Sequence, residues 1–198
     1  MQREIDEKLI INKDNSWTLT SILGNMMQLA EQLYGERDCR YTILGYEFFG
    51  QVPHIYFFEG DFTVIVRLGE QCLLNPEEAC NQLAQEVIHL LAPVKEASVL
   101  EEGIATNFRS IYMCHQYRKL RWPISGRSWD DASHPAYSEA MELARELLEI
   151  DSDAIKKLRQ RERSMSRFSP GLICDNYPSY PLNKAEELCR GFESWRKK

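Results

Sequence analysis

The chain has 198 residues, of which 43% are hydrophobic and 27% charged, as in a soluble globular protein with a sizeable core. The formal net charge of −6 and the pI near 5.4 argue against nucleic acid as a partner, because phosphate binding requires a basic surface. No apolar run is long enough to span a bilayer, and Met1–Glu7 lacks the apolar stretch of a secretory signal. The six cysteines form no Cys-x-x-Cys pair, so we expect reduced thiols and a cytoplasmic location.

The first third of the chain predicts one helix followed by a strand-rich block. Thr20 and Ser21 are candidate caps for a helix that Gly35 ends. Residues 41–68 are rich in aromatic and β-branched side chains, with glycines between the runs. The predicted strands are Tyr41–Phe49, His54–Phe58 and Phe62–Leu68. The short link 59–61 favours antiparallel pairing of the last two strands.

The remainder of the chain is predicted to be helical. Residues 76–117 predict two helices, the first of which Pro93 ends. The other predicted elements, within 134–198, are helices from Pro135, through 155–158 and over 182–195, with loops at 121–133 and 168–182. Strands first and helices after predict an α+β fold, in which a small antiparallel-rich sheet precedes a helical bundle in a single domain over 1–198.

The helix after Pro76 has a polar side opposite its apolar side. On a helical wheel, Gln85, Glu86 and His89 fall opposite the apolar residues of 80–91. The core then holds the back of this helix and leaves the three polar side chains on its front. An ordinary surface helix with a solvated face explains the same pattern, so this helix alone does not distinguish a site from a polar surface.

The next helix adds a second polar side. Glu102 projects with Thr106 and Arg109, away from the apolar Ile104 and Phe108. Because Glu102 follows His89 after one short connection, we expect both to face one cleft. Thr106 and Arg109 are then predicted to line that cleft and to contact a substrate or partner.

The strings on these two helices resemble a known family. Residues 82–91, Gln-Leu-Ala-Gln-Glu-Val-Ile-His-Leu-Leu, and residues 100–108, Leu-Glu-Glu-Gly-Ile-Ala-Thr-Asn-Phe, are similar to the two ligand helices of the gluzincin branch of zinc metallopeptidases. In that family, His-Glu-x-x-His supplies two zinc ligands and a general base. A glutamate just before Gly-φ-Ala supplies the third ligand. The resemblance spans residues 41–117 and implies a zincin-like fold.

Carried over residue by residue, the resemblance implies that His89 is the second zinc ligand, Glu102 the third and Glu86 the general base. Gln85 departs from the family, because it stands where the first histidine ligand belongs. The interval from His89 to Glu102 is also shorter than in many gluzincins. By order along the chain, Phe62–Leu68 matches the edge strand along which such enzymes lay peptide substrates.

The glutamine changes the chemistry that we expect. A neutral amide oxygen is a poor substitute for imidazole, so zinc binding at Gln85, His89 and Glu102 should be weak or absent. Metal normally lowers the pKa of bound water from about 15.7 to about 7, which corresponds to about 12 kcal/mol. General base catalysis by Glu86 alone gives only about 10²–10⁴-fold. We therefore expect an inactive or impaired peptidase homologue that acts by binding a polypeptide or a partner protein.

Two other interpretations stay open at this stage. The first is an active zinc-dependent peptidase with the nonstandard ligand set of Gln85, His89 and Glu102. The second is a plain helical scaffold in which the motif arose by chance. The side chains considered as a replacement ligand are His54, Cys114, His115 and His134, none of them favoured. The basic segment Lys156–Arg167 is expected to be a solvated helix face rather than a site for an acidic partner.

Overall fold

The computed structural model describes residues 18–120 and 135–197, with side chains described over 18–114 and 135–197. The helices in these residues are α1 Leu19–Tyr34, α2 Pro76–His89, α3 Val99–Leu120, α4 Pro135–Ile150, α5 Ala154–Arg159, α6 Pro170–Asn176, α7 Leu182–Leu188 and α8 Phe192–Trp195. The strands are β1 Thr42–Phe48, β2 His54–Phe57 and β3 Thr63–Leu68. Short 3₁₀ turns lie at Glu70–Leu74 and Met165–Arg167. The α+β class is therefore confirmed, whereas the predicted loop 121–133 and His134 lie outside the described residues.

Helix α1 begins slightly earlier than the sequence predicted. Thr18, not Thr20, is the N-cap, and its hydroxyl accepts from the Ser21 backbone N–H while the Ser21 side chain reaches back to Thr18. This reciprocal arrangement satisfies two backbone donors that the first helical turn leaves free. Gly35 ends the helix with φ at +92°, a conformation that favours glycine, as predicted.

The sheet is mixed, not antiparallel-rich as predicted. The strand order is β1-β3-β2, with β2 antiparallel and β1 parallel to β3. Because β3 lies between the other two strands, the prediction that Phe62–Leu68 forms the edge strand is wrong. Burial explains the order, since Val64, Val66 and Leu68 of β3 alternate into the core with no exposed surface. The less buried β2 is an edge strand of the described sheet.

Helix α2 begins as its sequence dictates and ends at His89, four residues before the Pro93 that was predicted to end it. The Asn75 side chain caps it by accepting from the Glu78 N–H, and Pro76 occupies the first turn, where a missing N–H costs nothing. Its apolar side, including Leu83, Val87 and Ile88, is completely buried. The core fixes the back of α2 and thereby sets the direction of its polar front.

The last part of the chain differs from its prediction in two places. Residues 168–182 contain helix α6, because Ser169 caps it and Pro170 acts as a helix starter and not as a loop residue. The single helix predicted over 182–195 is broken into α7 and α8. At the break the Arg190 carbonyl accepts from Val99 N–H and the Phe192 N–H donates to Ala97, so this segment joins the chain just before α3.

Helices α3 and α4 approach closely at Gly103. A Cβ atom at this position would lie 2.3 Å from the Ala140 carbonyl oxygen and 2.8 Å from its carbon. Only glycine lets the two backbones come this near. The glycine of the Glu-Glu-Gly string is therefore explained by helix packing.

Arg159 is a buried charge that the sequence did not mark within its basic segment. Its side chain is 5% exposed, and its guanidinium donates to five backbone carbonyl oxygens. The acceptors are Tyr34, Gly35, Glu36, Leu91 and Arg163. One side chain thus satisfies the ends of α1 and α2 and ties them to α5.

Two further expectations from the sequence concern reduced cysteines and the absence of a membrane-spanning helix. All six cysteines are free thiols. No helix within 18–120 or 135–197 combines the length and apolar character needed to cross a membrane.

We predict that Gly103→Ala lowers the free energy of unfolding by about 2 kcal/mol, because the added methyl forces α3 away from α4. The matched control is Gly24→Ala in α1, where nothing lies within 4 Å of the new methyl. That change should raise stability by up to about 1 kcal/mol through helix propensity. Urea denaturation measures both, and equal effects of the two substitutions would contradict the close contact at Gly103.

We predict that Arg159→Met lowers the free energy of unfolding by about 3–5 kcal/mol, because five carbonyl oxygens lose their charged donor. Arg161→Met is the control, since Arg161 is exposed, and its effect should stay within about 0.5 kcal/mol. Urea denaturation again provides the measurement. A loss below about 1 kcal/mol for Arg159→Met would show that water replaces the guanidinium without cost.

Candidate functional site

A cavity of about 540 Å³ lies in front of α2. Its size falls within the roughly 300–1,000 Å³ of small-ligand sites. It is bounded by the front of α2, the first turns of α3, the edge strand β2, the segment 94–97 and the C-terminal helix α8. The residues carried over from the sequence resemblance, Gln85, Glu86, His89 and Glu102, all line it.

His89 lies between two carboxylates of α3. Its Nδ1 is 2.8 Å from Glu101 Oε1, and its Nε2 is 3.6 Å from Glu102 Oε1. Burial disfavours the charged ring, but Glu102 and the hydrogen-bonded Glu101 outweigh burial and raise the pKa of His89 to about 10. At neutral pH His89 is therefore an imidazolium that joins the end of α2 to the start of α3.

The second carboxylate oxygen of Glu101 has a hydrogen-bond partner of its own. The Ser166 hydroxyl donates to Glu101 Oε2, and the same hydroxyl accepts from the Ser98 N–H at 2.7 Å. Ser98 in turn caps α3, its hydroxyl accepting from the Glu101 N–H. The orientation of the His89 ring thus depends on the turn Met165–Arg167, far along the chain.

Glu86 is a buried carboxyl at the floor of the cavity. Its side chain is 6% exposed, and none of the described residues donates a hydrogen bond to it. Burial, partly offset by the charge of His89 and reinforced by that of Glu102, raises the pKa of Glu86 to about 7. A carboxyl with this pKa exchanges a proton near neutral pH, which suits a general base.

Gln85 is engaged at both ends of its amide. Its Oε1 accepts from Arg109 Nη1 at 3.1 Å, and its Nε2 donates to Glu102 Oε2 at 3.4 Å. The carbonyl oxygen is the atom of Gln85 that would bind a metal, and it instead accepts a hydrogen bond from the Arg109 guanidinium. The amide nitrogen, which cannot bind a metal, is the end that faces Glu102.

His89 and Glu102 on their own have a spacing that suits a shared zinc ion. Two ligand atoms about 2.1 Å from a tetrahedral ion lie about 3.4 Å apart, close to the 3.6 Å between His89 Nε2 and Glu102 Oε1. The Glu101 contact matches the carboxylate that orients a metal-binding histidine. No third His, Cys, Asp or Glu among the described residues completes a metal-binding group. With Gln85 turned to Arg109, the residues present do not fit a three-ligand zinc centre.

The two residues predicted to line the cleft have different outcomes. Arg109 does line the cavity. Thr106 does not, because its side chain has no exposed surface and its hydroxyl has no hydrogen-bond partner. The sequence argument assumed a solvated side for α3, whereas α4 packs against that side near Gly103.

Among the described residues, no candidate replacement ligand forms a metal-binding group with His89 and Glu102. His54 lines the cavity from β2, but its Nδ1 lies 3.0 Å from the Val52 carbonyl oxygen. Cys114 is exposed on α3 and does not line the cavity. The side chains of His115 and His134 lie outside the described residues.

Several residues of the site were missed in the sequence. Glu101 had a local signal, since Ser98-x-x-Glu101 has the form of a capping box at the start of a helix. Tyr137 and Phe192 line the cavity with their rings 4.7 Å apart, and Arg196 and Glu193 form an ion pair beside them. These four come from the other end of the chain, so no local pattern indicates them.

Comparison of the chain with protein-family models, with curated proteins and with solved structures gives no match.

We predict that Glu86 destabilises the metal-free protein as pH rises, because its folded pKa of about 7 exceeds the 4.5 of an unperturbed glutamate. A raised pKa means that stability is full below pH 4.5 and is lost as pH rises through 7. The loss is about 3 kcal/mol for Glu86 alone. Urea denaturation of wild type and Glu86→Gln in chelator should therefore diverge, with the variant the more stable at pH 8 and the two similar near pH 5. A difference that does not change with pH would contradict the buried, unpaired state of Glu86.

Proposed function

We propose that this protein is a zincin-like homologue of gluzincin metallopeptidases that has lost peptidase activity and binds a polypeptide in the cavity in front of α2. Glu86, His89 and Glu102 keep the family's positions in this proposal, while Gln85 replaces the first ligand. The supporting observation is that the Gln85 carbonyl oxygen accepts from the Arg109 guanidinium, which places a positive charge beside the atom that would bind a metal.

The charges around Gln85 support the loss of metal binding. The Arg109 guanidinium stands next to the atom that would be the first ligand, so an approaching zinc ion meets a positive charge there. His89 already supplies a positive charge between Glu101 and Glu102. A metal would have to displace the proton from His89 and separate Gln85 from Arg109, with only two strong ligands in return.

The loss of metal removes the main part of the chemistry. Glu86 has a pKa suited to a base, yet a base alone accelerates a reaction by about 10²–10⁴-fold. Activation of water by zinc corresponds to about 12 kcal/mol, which is many orders of magnitude more. Peptide hydrolysis without the metal is therefore too slow to detect.

The edge strand supports binding of an extended polypeptide. Within the described sheet β2 pairs only with β3, so its other edge is available for a further strand. Residues 52–55 and Phe57 of this edge line the cavity. An extended peptide added to β2 would form main-chain hydrogen bonds and pass directly in front of α2.

One observation favours the alternative of an active zinc peptidase with a nonstandard ligand set. The 3.6 Å between His89 Nε2 and Glu102 Oε1 and the Glu101 contact are the features of a zinc site with one ligand lost. The same features make a simple restoration experiment possible, because a histidine at position 85 would stand one helical turn before His89.

We predict that wild-type protein dialysed against micromolar zinc retains well under one ion per chain, and that Gln85→His retains about one. The new imidazole would complete a His, His, Glu ligand set and would remove the amide that holds Arg109. Metal content is measured by inductively coupled plasma mass spectrometry, with hydrolysis of a casein substrate followed in parallel. Wild type is expected to show no hydrolysis.

The controls are Gln85→Ala, which should stay metal-free, and Gln85→His with His89→Ala, which should lose the gained zinc. About one zinc per wild-type chain, lost in His89→Ala, would establish the nonstandard ligand set instead. No gain in a folded Gln85→His protein would reject the likeness to zincins altogether.

A further inference from the structure

Arg109 is a cation in the cavity without an ionic partner. Its guanidinium lines the cavity, and its one hydrogen bond in the described structure goes to the neutral Gln85 oxygen. The Nε atom is buried and has no hydrogen-bond partner. The buried Arg159 is better satisfied, as its five acceptors show.

The charges around Arg109 do not replace a direct partner. Glu78 and Glu102 are near enough to favour its charged form at longer range, but neither lies within 4.0 Å as an ion pair. Burial outweighs both and lowers the pKa of Arg109 from its usual value. A half-buried cation without an ion-pair partner lowers the stability of the folded protein unless a ligand supplies the opposite charge.

A carboxylate is the ligand group that fits this requirement. It accepts two parallel hydrogen bonds from the planar fork of a guanidinium and neutralises its charge. A neutral peptide carbonyl would supply an acceptor but would leave the charge unpaired. Lys95 and Glu96 are exposed and also line the cavity, so their opposite charges offset each other and leave Arg109 as the group that selects a carboxylate.

We propose that the cavity recognises its polypeptide ligand by a carboxylate that pairs with Arg109, an inference that rests on the proposed function. The carboxylate comes from an acidic side chain or from the C-terminus of the ligand. Arg109 then has two roles, since the arginine that blocks the metal ligand Gln85 also selects the bound peptide.

The test uses fluorescein-labelled octapeptide pools of random sequence built from uncharged amino acids. One pool has a free C-terminal carboxylate and the second an amidated C-terminus. A third, amidated pool carries a central glutamate, and the fourth replaces that glutamate with glutamine. Fluorescence anisotropy measures the apparent affinity of each pool for the full-length protein.

Wild type should bind at least one carboxylate pool roughly 10-fold to 100-fold more tightly than its neutral counterpart. The pool that shows the preference identifies the source as a C-terminus or a side chain. Arg109→Gln should abolish the preference, and Arg109→Lys should keep only part of it, because an ammonium lacks the planar fork. Lys95→Gln is the matched control, which removes the same charge from the rim and should keep most of the preference.

Three outcomes overturn the inference, and they are distinguishable. Equal binding of charged and neutral pools by wild type, or an undiminished preference in Arg109→Gln, rejects the carboxylate and leaves polypeptide binding intact. If Arg109→Gln does not fold, an undiminished preference in a folded Arg109→Lys rejects it as well. Binding of no pool by wild type rejects the proposed function and with it this inference.

Discussion

The ion-paired His89 is the interaction on which the site depends. Three carboxyl groups, Glu86, Glu101 and Glu102, are buried around one imidazole, and buried carboxylates need a cation. His89 supplies that cation, and by contacting Glu101 and Glu102 it fixes the end of α2 against the start of α3. The turn at Ser166 is attached to the same cluster through Glu101. The positive charge of His89 therefore neutralises part of this acidic cluster.

The pair of Gln85 and Arg109 gives the second constraint. In our proposal the loss of one imidazole was accompanied by a charge arrangement that resists the metal, since Arg109 occupies the amide oxygen. The same arginine lines the cavity without an ion-pair partner, and its buried Nε has no hydrogen-bond partner. Loss of catalysis and gain of a ligand-binding group would thus be two consequences of one contact.

The fold was predictable where local patterns determine it. The apolar back of α2 fixed the direction of Gln85, Glu86 and His89, and Gly35 marked the end of α1 correctly. The central position of β3 in the sheet was not predictable from the order of the strands along the chain. It depends on which strand has alternate side chains buried by helices that lie far away in the sequence. The prediction that Thr106 lines the cleft was wrong for a related reason. Periodicity shows which side of α3 is polar, but it does not show that α4 covers part of that side.

Long-range contacts explain what the sequence could not reveal about the site. Arg159 lies in a run of basic residues, and no sequence pattern distinguishes it from its neighbours. In the folded chain it is surrounded by backbone carbonyl oxygens. Phe192 and Arg196 reach the cavity because the segment after α7 pairs with residues 97–99, whereas Tyr137 comes from α4, which packs against α3. The resemblance to gluzincins indicated Glu86, Glu102 and His89, but Glu101 and the partner of Gln85 required coordinates.

The protonation state of His89 in the presence of zinc tests the central claim most directly. The chain has four histidines, so the ¹⁵N signals of the His89 ring can be assigned by comparison with His89→Gln. Our account predicts that at pH 7 both ring nitrogens carry protons and that an equivalent of zinc leaves their ¹⁵N shifts unchanged. Loss of the Nε2 proton with a metal-induced shift of that nitrogen would contradict the account and would place zinc between His89 and Glu102.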